Sequence, residues 1–307
     1  MTRHLILVYI LIILSCGSSP DKKNILDKSR NASPFQDAGY DFSNPDEIII
    51  LPAILHEISG ITAIDNSSIA CIQDENGIVF FYDLQSEKIS RQINFYGDGD
   101  YEGIAFTGSV LYVLRSDGLL LEITNLKSSG KANAISLNSI MGFDNEGLCY
   151  DNKNERLLIA PKNKPGKEAG IKGDRAVFGY DLIKREFIKE ALYGFDVKSI
   201  TKFAVENNVY KLKKNKKKNK YELPDLKFRP SSIAIHPLTG RLYIISSADP
   251  LLAVFNINGN IEQIIRLDKK IFNMPEGITF LSNGDILVSN EGEKQNATLI
   301  RLNYRSK

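Results

Sequence analysis

Tryptophan is absent from this chain of 307 residues, and cysteine, methionine and histidine occur only three times each. Three cysteines cannot build the dense disulfide framework of a small secreted scaffold. His4, His56 and His236 show no zinc-site spacing, and no nucleophile elbow or phosphate-binding loop is present. No charge of either sign dominates: 39 Lys and Arg face 37 Asp and Glu, a net charge of +2, which argues against a dedicated nucleic-acid binder. The near balance conceals one patch. Seven lysines fall within residues 211–220, which leaves the remainder of the chain at −5. Such a run reads as a solvated loop, with contact to anionic headgroups or polyanions as its functional alternative. With 43% apolar and 25% charged residues the chain has an ordinary globular composition, neither disordered nor collagen-like.

The longest apolar run lies at the N-terminus. Met1-Thr-Arg-His precedes an unbroken stretch from Leu5 to Leu14, followed by Ser15, Cys16 and Gly17. A basic start, a short apolar run and small residues at the break make an export signal. The run is too short to cross a bilayer, which takes roughly 20 helical residues. Ile13-Leu14-Ser15-Cys16 resembles a bacterial lipobox, in which cleavage before the cysteine exposes it to lipidation; an ordinary cleaved signal is the alternative. Residues 1–15 are therefore expected to be a lipoprotein signal peptide. Cys16 is the lipidation site, residues 16–45 form a flexible tether, and the folded body runs over 46–307. These expectations place the protein in the cell envelope, lipid-anchored to a bacterial membrane on its exported side. Cys71 and Cys149 each sit in a short apolar segment and read as inert core thiols.

One short pattern recurs along the body: Ile58-Ser-Gly-Ile, Tyr101-Glu-Gly-Ile, Asn145-Glu-Gly-Leu, Pro230-Ser-Ser-Ile and Pro275-Glu-Gly-Ile. Aligning Gly60, Gly103, Gly147, Ser232 and Gly277 gives spacings of 43, 44, 85 and 45. After each motif come short strands rich in Val, Ile, Tyr and Phe, separated by Gly, Asn and Asp turns, as in the blade of a propeller. The fold class is all-β: a five-bladed β-propeller with a Lys-rich insertion near 205–222, six blades being the alternative. The last blade runs out after its third strand. Glu47–Leu51 can supply the missing fourth and so remove an open sheet edge.

In a propeller the loop into each innermost strand and the loop between the second and third strands open on one face. Glu102, Glu146 and Glu276 then stand at equivalent positions around one channel mouth, with Ser59 and Ser231 in the other two blades. Glu57, Asp74, Glu75, Asn290 and Glu291 come from neighbouring loops of that face. Three converging carboxylates repel unless neutralised, and a hard divalent cation, Ca²⁺ before Mg²⁺, is the natural counter-charge. The competing reading is that each glutamate merely caps a turn. His56 is the weak candidate for a general base, and His236 reads as structural.

Taken together, Glu57-Ile-Ser-Gly-Ile, Asp74-Glu-Asn-Gly, Asp100-Tyr-Glu-Gly-Ile, Asn145-Glu-Gly-Leu, Pro230-Ser-Ser-Ile-Ala-Ile-His-Pro and Met274-Pro-Glu-Gly-Ile-Thr-Phe resemble the SdiA-regulated, YjiK-like propeller family over roughly residues 47–303. The resemblance implies a five-bladed propeller, often membrane-anchored, with calcium at the channel mouth. It also implies distant kinship to NHL-repeat, gluconolactonase and paraoxonase propellers, some of them calcium-dependent hydrolases. Two functions follow as expectations. The first is a calcium-binding module for an unidentified protein or small-molecule ligand; the second is a calcium-dependent lactonase or esterase. Whether the chain is an enzyme stays open at this point.

Overall fold

The computed structural model describes residues 39–128, 130–137, 144–165 and 173–305. Five four-stranded antiparallel sheets follow one another in chain order. Their innermost strands are Ile58–Ala63, Tyr101–Phe106, Asn145–Asp151, Pro230–Ile235 and Pro275–Phe280. The fifth blade is closed by Glu47–Ile50, which pairs antiparallel with Thr298–Leu302 in the register Ile48 to Ile300. Five blades, with the N-terminal strand completing the last, is the architecture expected from the motif spacing.

Each sheet is covered on both faces by its neighbours, so the second and third strands carry continuous apolar runs such as residues 111–114 and Leu251–Phe255. Side-chain alternation sends successive residues to opposite neighbours. Leu111 and Val113 pack with Ala70, Ile72 and Val79 of blade 1. Tyr112 and Leu114, on the other face of the same strand, pack with Leu157, Ile159 and Phe178 of blade 3. Five buried clusters of this kind fill the five spaces between blades. Outer strands such as Lys88–Asn94 and Lys131–Ser136 are mostly solvent-facing and polar.

The body reaches back further than Asp46. Tyr40 and Phe42 are 3% and 2% exposed. The Tyr40 hydroxyl donates to the Gly284 carbonyl, and both rings join the cluster between blades 4 and 5. The segment over 39–45 is thus part of the packed body rather than of a tether.

The insertion lies between the outer strand of blade 3 (Glu186–Phe195) and the inner strand of blade 4. It begins with a helix, Val197–Glu206, capped by the Asp196 carboxylate, which accepts from the Ser199 N–H at 2.9 Å. Ile200, Thr201 and Ala204 form its buried stripe. The lysine run is a small exposed hairpin of Lys213–Asn215 against Lys220–Glu222 rather than an irregular loop.

Cys71 and Cys149 are buried, unbridged thiols. His236 is fully buried, and its Nδ1 accepts from the N–H groups of Leu238 and Thr239 at 3.1 and 3.3 Å. Burial, aided by the Arg241 charge, lowers its pKa to about 4. It is a neutral structural imidazole, as its sequence context suggested.

Candidate functional site at the channel mouth

The repeated motif acts through two neighbouring residues. Four inner strands carry a register shift at the motif: between Tyr101 and Gly103, Asn145 and Gly147, Pro230 and Ser232, and Pro275 and Gly277. The residue stepped over is Glu102, Glu146, Ser231 or Glu276. In blade 1 the shift spans Ile58 to Ile61 and takes in Ser59. A bulge re-aims a side chain out of the ladder, and here it does so at the same height in every blade. The following small residue lets the next inner strand come close. A Cβ on Gly103 would lie 2.8 Å from the Glu146 carbonyl oxygen, and one on Gly277 would lie 2.7 Å from that of Ser59. In blade 4, where Ser232 replaces glycine, its hydroxyl accepts from the Ile278 N–H at 3.2 Å.

The bulged residues divide into stitches and charges. Ser231 donates to the Pro275 carbonyl at 2.7 Å and so joins blade 4 to blade 5. Ser59 bridges blades 1 and 2, its hydroxyl lying 3.0 Å from both the Glu102 carbonyl oxygen and the Glu102 carboxylate. The three glutamates remain, and each senses one of the others. Burial first, then the Glu146 charge, raises the Glu102 pKa. Burial also raises Glu146, with Lys162 opposing and Glu276 adding to the effect. Glu276 is pushed up to about 8 by burial, against the pull of Lys162, with further upward pressure from Glu102 and Glu291. A carboxyl with that value holds its proton through much of the neutral range, so the ring lacks positive charge.

Part of that charge comes from within the chain. Lys162 Nζ stands 2.6 Å from Glu146 Oε1, whose side chain is 2% exposed. Burial works against the ammonium, yet the Glu146, Glu276 and Asp144 carboxylates outweigh it and hold the Lys162 pKa above its ordinary value. The sequence motifs contain no sign of this role; Pro161-Lys162-Asn163 reads only as one of the loops of that face.

A second acidic group adjoins the ring at the junction of blades 1 and 5. Burial and the Glu57 and Glu75 charges raise Asp74, and burial together with Asp74, Glu293 and Glu57 raises Glu291. Glu75 itself is exposed. Asn290 belongs to neither group: it is fully buried, and its amide donates to the Ile271 carbonyl and Thr298 Oγ1 within blade 5, both at 3.0 Å. His56 lines a surface depression with Ile50, Lys294, Gln295 and Thr298, and its charge acts on Glu291. Beyond the glutamates the channel is of mixed polarity, with Thr62, Tyr150 and Thr279 among its lining residues. A cavity of about 160 Å³ is lined by Ile61, Ile104, Leu148, Ile233 and Ile278, one aliphatic residue from each blade.

Three carboxylates and the Ser59 hydroxyl are hard oxygen donors, suited to Ca²⁺. As the side chains stand, among the described residues no three acidic, His or Cys side chains are grouped closely enough to share an ion. The positive charge beside Glu146 is that of Lys162.

Fold and site together define a five-bladed propeller with an acidic, lysine-neutralised channel mouth. Residues 47–293 match the SdiA-regulated family, and the chain belongs to that family. No curated protein matches it. Among solved structures it is similar to glutaminyl cyclase of Myxococcus xanthus, at 13% identity and a TM-score of 0.55, covering 84% of this chain and 94% of that one. It also aligns with U3-55K at 10% identity and a TM-score of 0.49, covering 85% of this chain and 100% of that one. A chain of a nidogen/laminin complex aligns at 9% identity and a TM-score of 0.46, covering 76% of this chain and 72% of that one. At these identities the glutaminyl cyclase likeness speaks for the fold alone.

Proposed function

We propose that this chain is a cell-envelope lipoprotein, anchored to a bacterial membrane through Cys16, whose propeller binds Ca²⁺ at its channel mouth and serves as a ligand- or protein-binding module. The observation that carries the reading is the bulged position of Glu102, Glu146 and Glu276, which turns one carboxylate from each of three blades out of the ladder at the channel mouth, Glu146 buried and the other two partly buried. A turn cap would instead spend its carboxylate on backbone N–H groups. The contacts of these carboxylates include the Ser59, Asp100, Lys162 and Ser247 side chains. The hydrolase alternative needs a base beside the metal, and its candidate, His56, lines a depression that contains none of the three glutamates. Binding is therefore the function put forward.

Thermal unfolding with added CaCl₂ and then with chelator tests the site. Calcium at a hundredfold excess over its dissociation constant should stabilise the fold by about 2.7 kcal/mol, and Glu276→Gln should remove most of that gain. A melting temperature indifferent to both calcium and chelator would overturn the calcium reading. The anchor is tested apart from it. Cys16 lies outside the described residues, and Cys16→Ser should move the protein from the membrane pellet to the soluble fraction. Retention in the pellet after a high-salt wash would overturn the anchor.

A further inference from the structure

We propose that Arg175 and Arg229, at the seam of blades 3 and 4 on the face of the channel mouth, form a site for the carboxylate group of a ligand. No metal ion and none of the three ring glutamates takes part in it. Among the described residues every other arginine pairs with a carboxylate or lies over an aromatic ring. The two that do neither are neighbours. Arg175 opens the third strand of blade 3, Arg175–Asp181, and Arg229 immediately precedes the inner strand of blade 4, Pro230–Ile235. Arg175 Nε donates to the carbonyl of Phe228, the residue before Arg229, at 2.7 Å, and its Nη1 donates to the Asp174 carbonyl at 2.6 Å. These bonds fix the half-buried guanidinium and leave its Nη2 edge uncommitted. Arg229 is exposed, but its backbone is pinned: its N–H donates to Ser246 Oγ at 3.0 Å, which in turn donates to the Lys227 carbonyl at 3.2 Å.

The repeat shows how unusual this sector is. The residue just before each motif is Glu57, Asp100 and Asp144 in blades 1, 2 and 3, Met274 in blade 5, and Arg229 in blade 4. Blade 4 also carries Ser231 where three blades carry a glutamate. One sector of an acidic mouth is therefore basic. Burial first, then the Arg229 charge, lowers the Arg175 pKa, with Asp174 opposing. Asp174 does not relieve the pair, because its Oδ1 is taken by Lys164 Nζ at 2.7 Å. An anion set against both guanidinium groups removes their mutual repulsion and occupies their free N–H groups. The planar fork of a guanidinium matches the two oxygens of a carboxylate. Phosphate would also fit the forks, but at neutral pH it carries more negative charge, and the acidic sectors of the mouth repel it more strongly. The singly charged carboxylate is the occupant this balance favours.

NMR titration of the ¹⁵N-labelled full-length protein, in chelator and at constant ionic strength, tests this. The signal followed is the Arg175 Nε–H, which its bond to the Phe228 carbonyl protects from exchange and which is assigned by its loss in Arg175→Lys. The probes are sodium N-acetylglycinate, its uncharged amide N-acetylglycinamide, and inorganic phosphate. N-acetylglycinate should shift the signal saturably, the amide should leave it in place, and phosphate should bind more weakly than the carboxylate. Arg229→Gln should weaken N-acetylglycinate binding by roughly tenfold, and Arg229→Lys, which keeps the charge but not the fork, should fall between Arg229→Gln and wild type. Without any probe, Arg229→Gln should melt no lower than wild type, because it removes a repulsion and no bond; this separates loss of the site from loss of the fold. An unmoved signal with N-acetylglycinate, an equal response to the amide, undiminished affinity in Arg229→Gln or tighter binding of phosphate would each overturn the carboxylate site. Because chelator is present throughout, none of these outcomes depends on whether the ring binds calcium.

Discussion

Gly103 of blade 2 and Leu148 of blade 3 approach so closely that a Cβ on the glycine would lie 2.6 Å from the Leu148 Cβ. This contact explains why the motif keeps a small residue after the bulge: the inner strands are drawn together around a narrow channel. Gly103→Ala should therefore destabilise the protein by about 1–3 kcal/mol through overpacking. Gly97→Ala, where an added Cβ would have nothing within 4 Å, should be close to neutral. Chemical denaturation of the two variants checks the contrast; equal effects would mean that the ring of inner strands relaxes freely.

The same glycines made much of the fold legible in advance. Spacings near 44 residues, the Val- and Ile-rich runs after each motif and the spare strand at Glu47–Ile50 were enough to count the blades and to close the last one. The grouping of Glu102, Glu146 and Glu276 followed from repeat equivalence. What gave no signal was local or long-range in a way that a pattern does not encode. The bulge that aims each glutamate leaves no mark beyond the residue type, and Lys162 reaches Glu146 from another strand's loop. The helix Val197–Glu206 does carry the helical spacing, with partly buried Val197 beside the stripe of Ile200, Thr201 and Ala204, but over only about two turns inside a polar segment. Tyr40 and Phe42 are two aromatics in a polar segment, and only docking shows that they are core. Asn290 and Ser231 look like mouth residues by position, yet their polar groups bond within blade 5 and across the seam of blades 4 and 5.

A second seam depends on charge. Arg185 of blade 3 grips the Glu122 carboxylate of blade 2 with two bonds of 2.8 and 2.9 Å, and the Tyr112 hydroxyl adds a third at 2.9 Å. The Arg185 fork, against the opposing effect of burial and with help from Tyr112, lowers Glu122 to about 2. A carboxyl depressed in the folded state contributes stability that is complete above its unfolded value and fades as pH falls toward the folded one. Arg185→Met should therefore cost about 1–3 kcal/mol at neutral pH. It should cost progressively less between the ordinary glutamate value of 4.5 and about 2. Urea unfolding at neutral and acidic pH measures this, and a penalty independent of pH would assign the loss to packing of the arginine stem.

The lysine hairpin should be dispensable for folding. Its side-chain bonds are internal, from Asn215 and Lys218 to Glu222. The anchoring aromatic Tyr210 packs on the core just before it. Replacing residues 212–221 with a short Gly-Ser turn should change stability by less than about 0.5 kcal/mol. Differential scanning calorimetry reads this directly, and a large fall in melting temperature would show the hairpin to be part of the packed body.

The ring itself should carry a pH signature of opposite slope. Glu276 is held up at about 8 against an ordinary carboxyl value of 4.5, chiefly by burial, with Lys162 opposing and Glu102 and Glu291 reinforcing the shift. A carboxyl raised in the folded state binds its proton more tightly there than in the unfolded chain. Its contribution is complete below the unfolded value and is lost as pH rises through the folded one. In the presence of chelator, stability should therefore decline between about pH 4.5 and about pH 8, with a slope of up to about 1.4 kcal/mol per pH unit for each proton released. Glu276→Gln places a permanently neutral group of the same shape in the ring. It should flatten the decline and leave the metal-free variant more stable than wild type at pH 8. Calcium should reverse the order, because it favours the charged carboxylates that the variant lacks. Urea unfolding across that pH range, with and without calcium, checks both halves. A variant that is less stable than wild type at pH 8 in chelator would mean that the Glu276 carboxylate is satisfied in the folded protein, and the ring would then have no deficit of positive charge to fill.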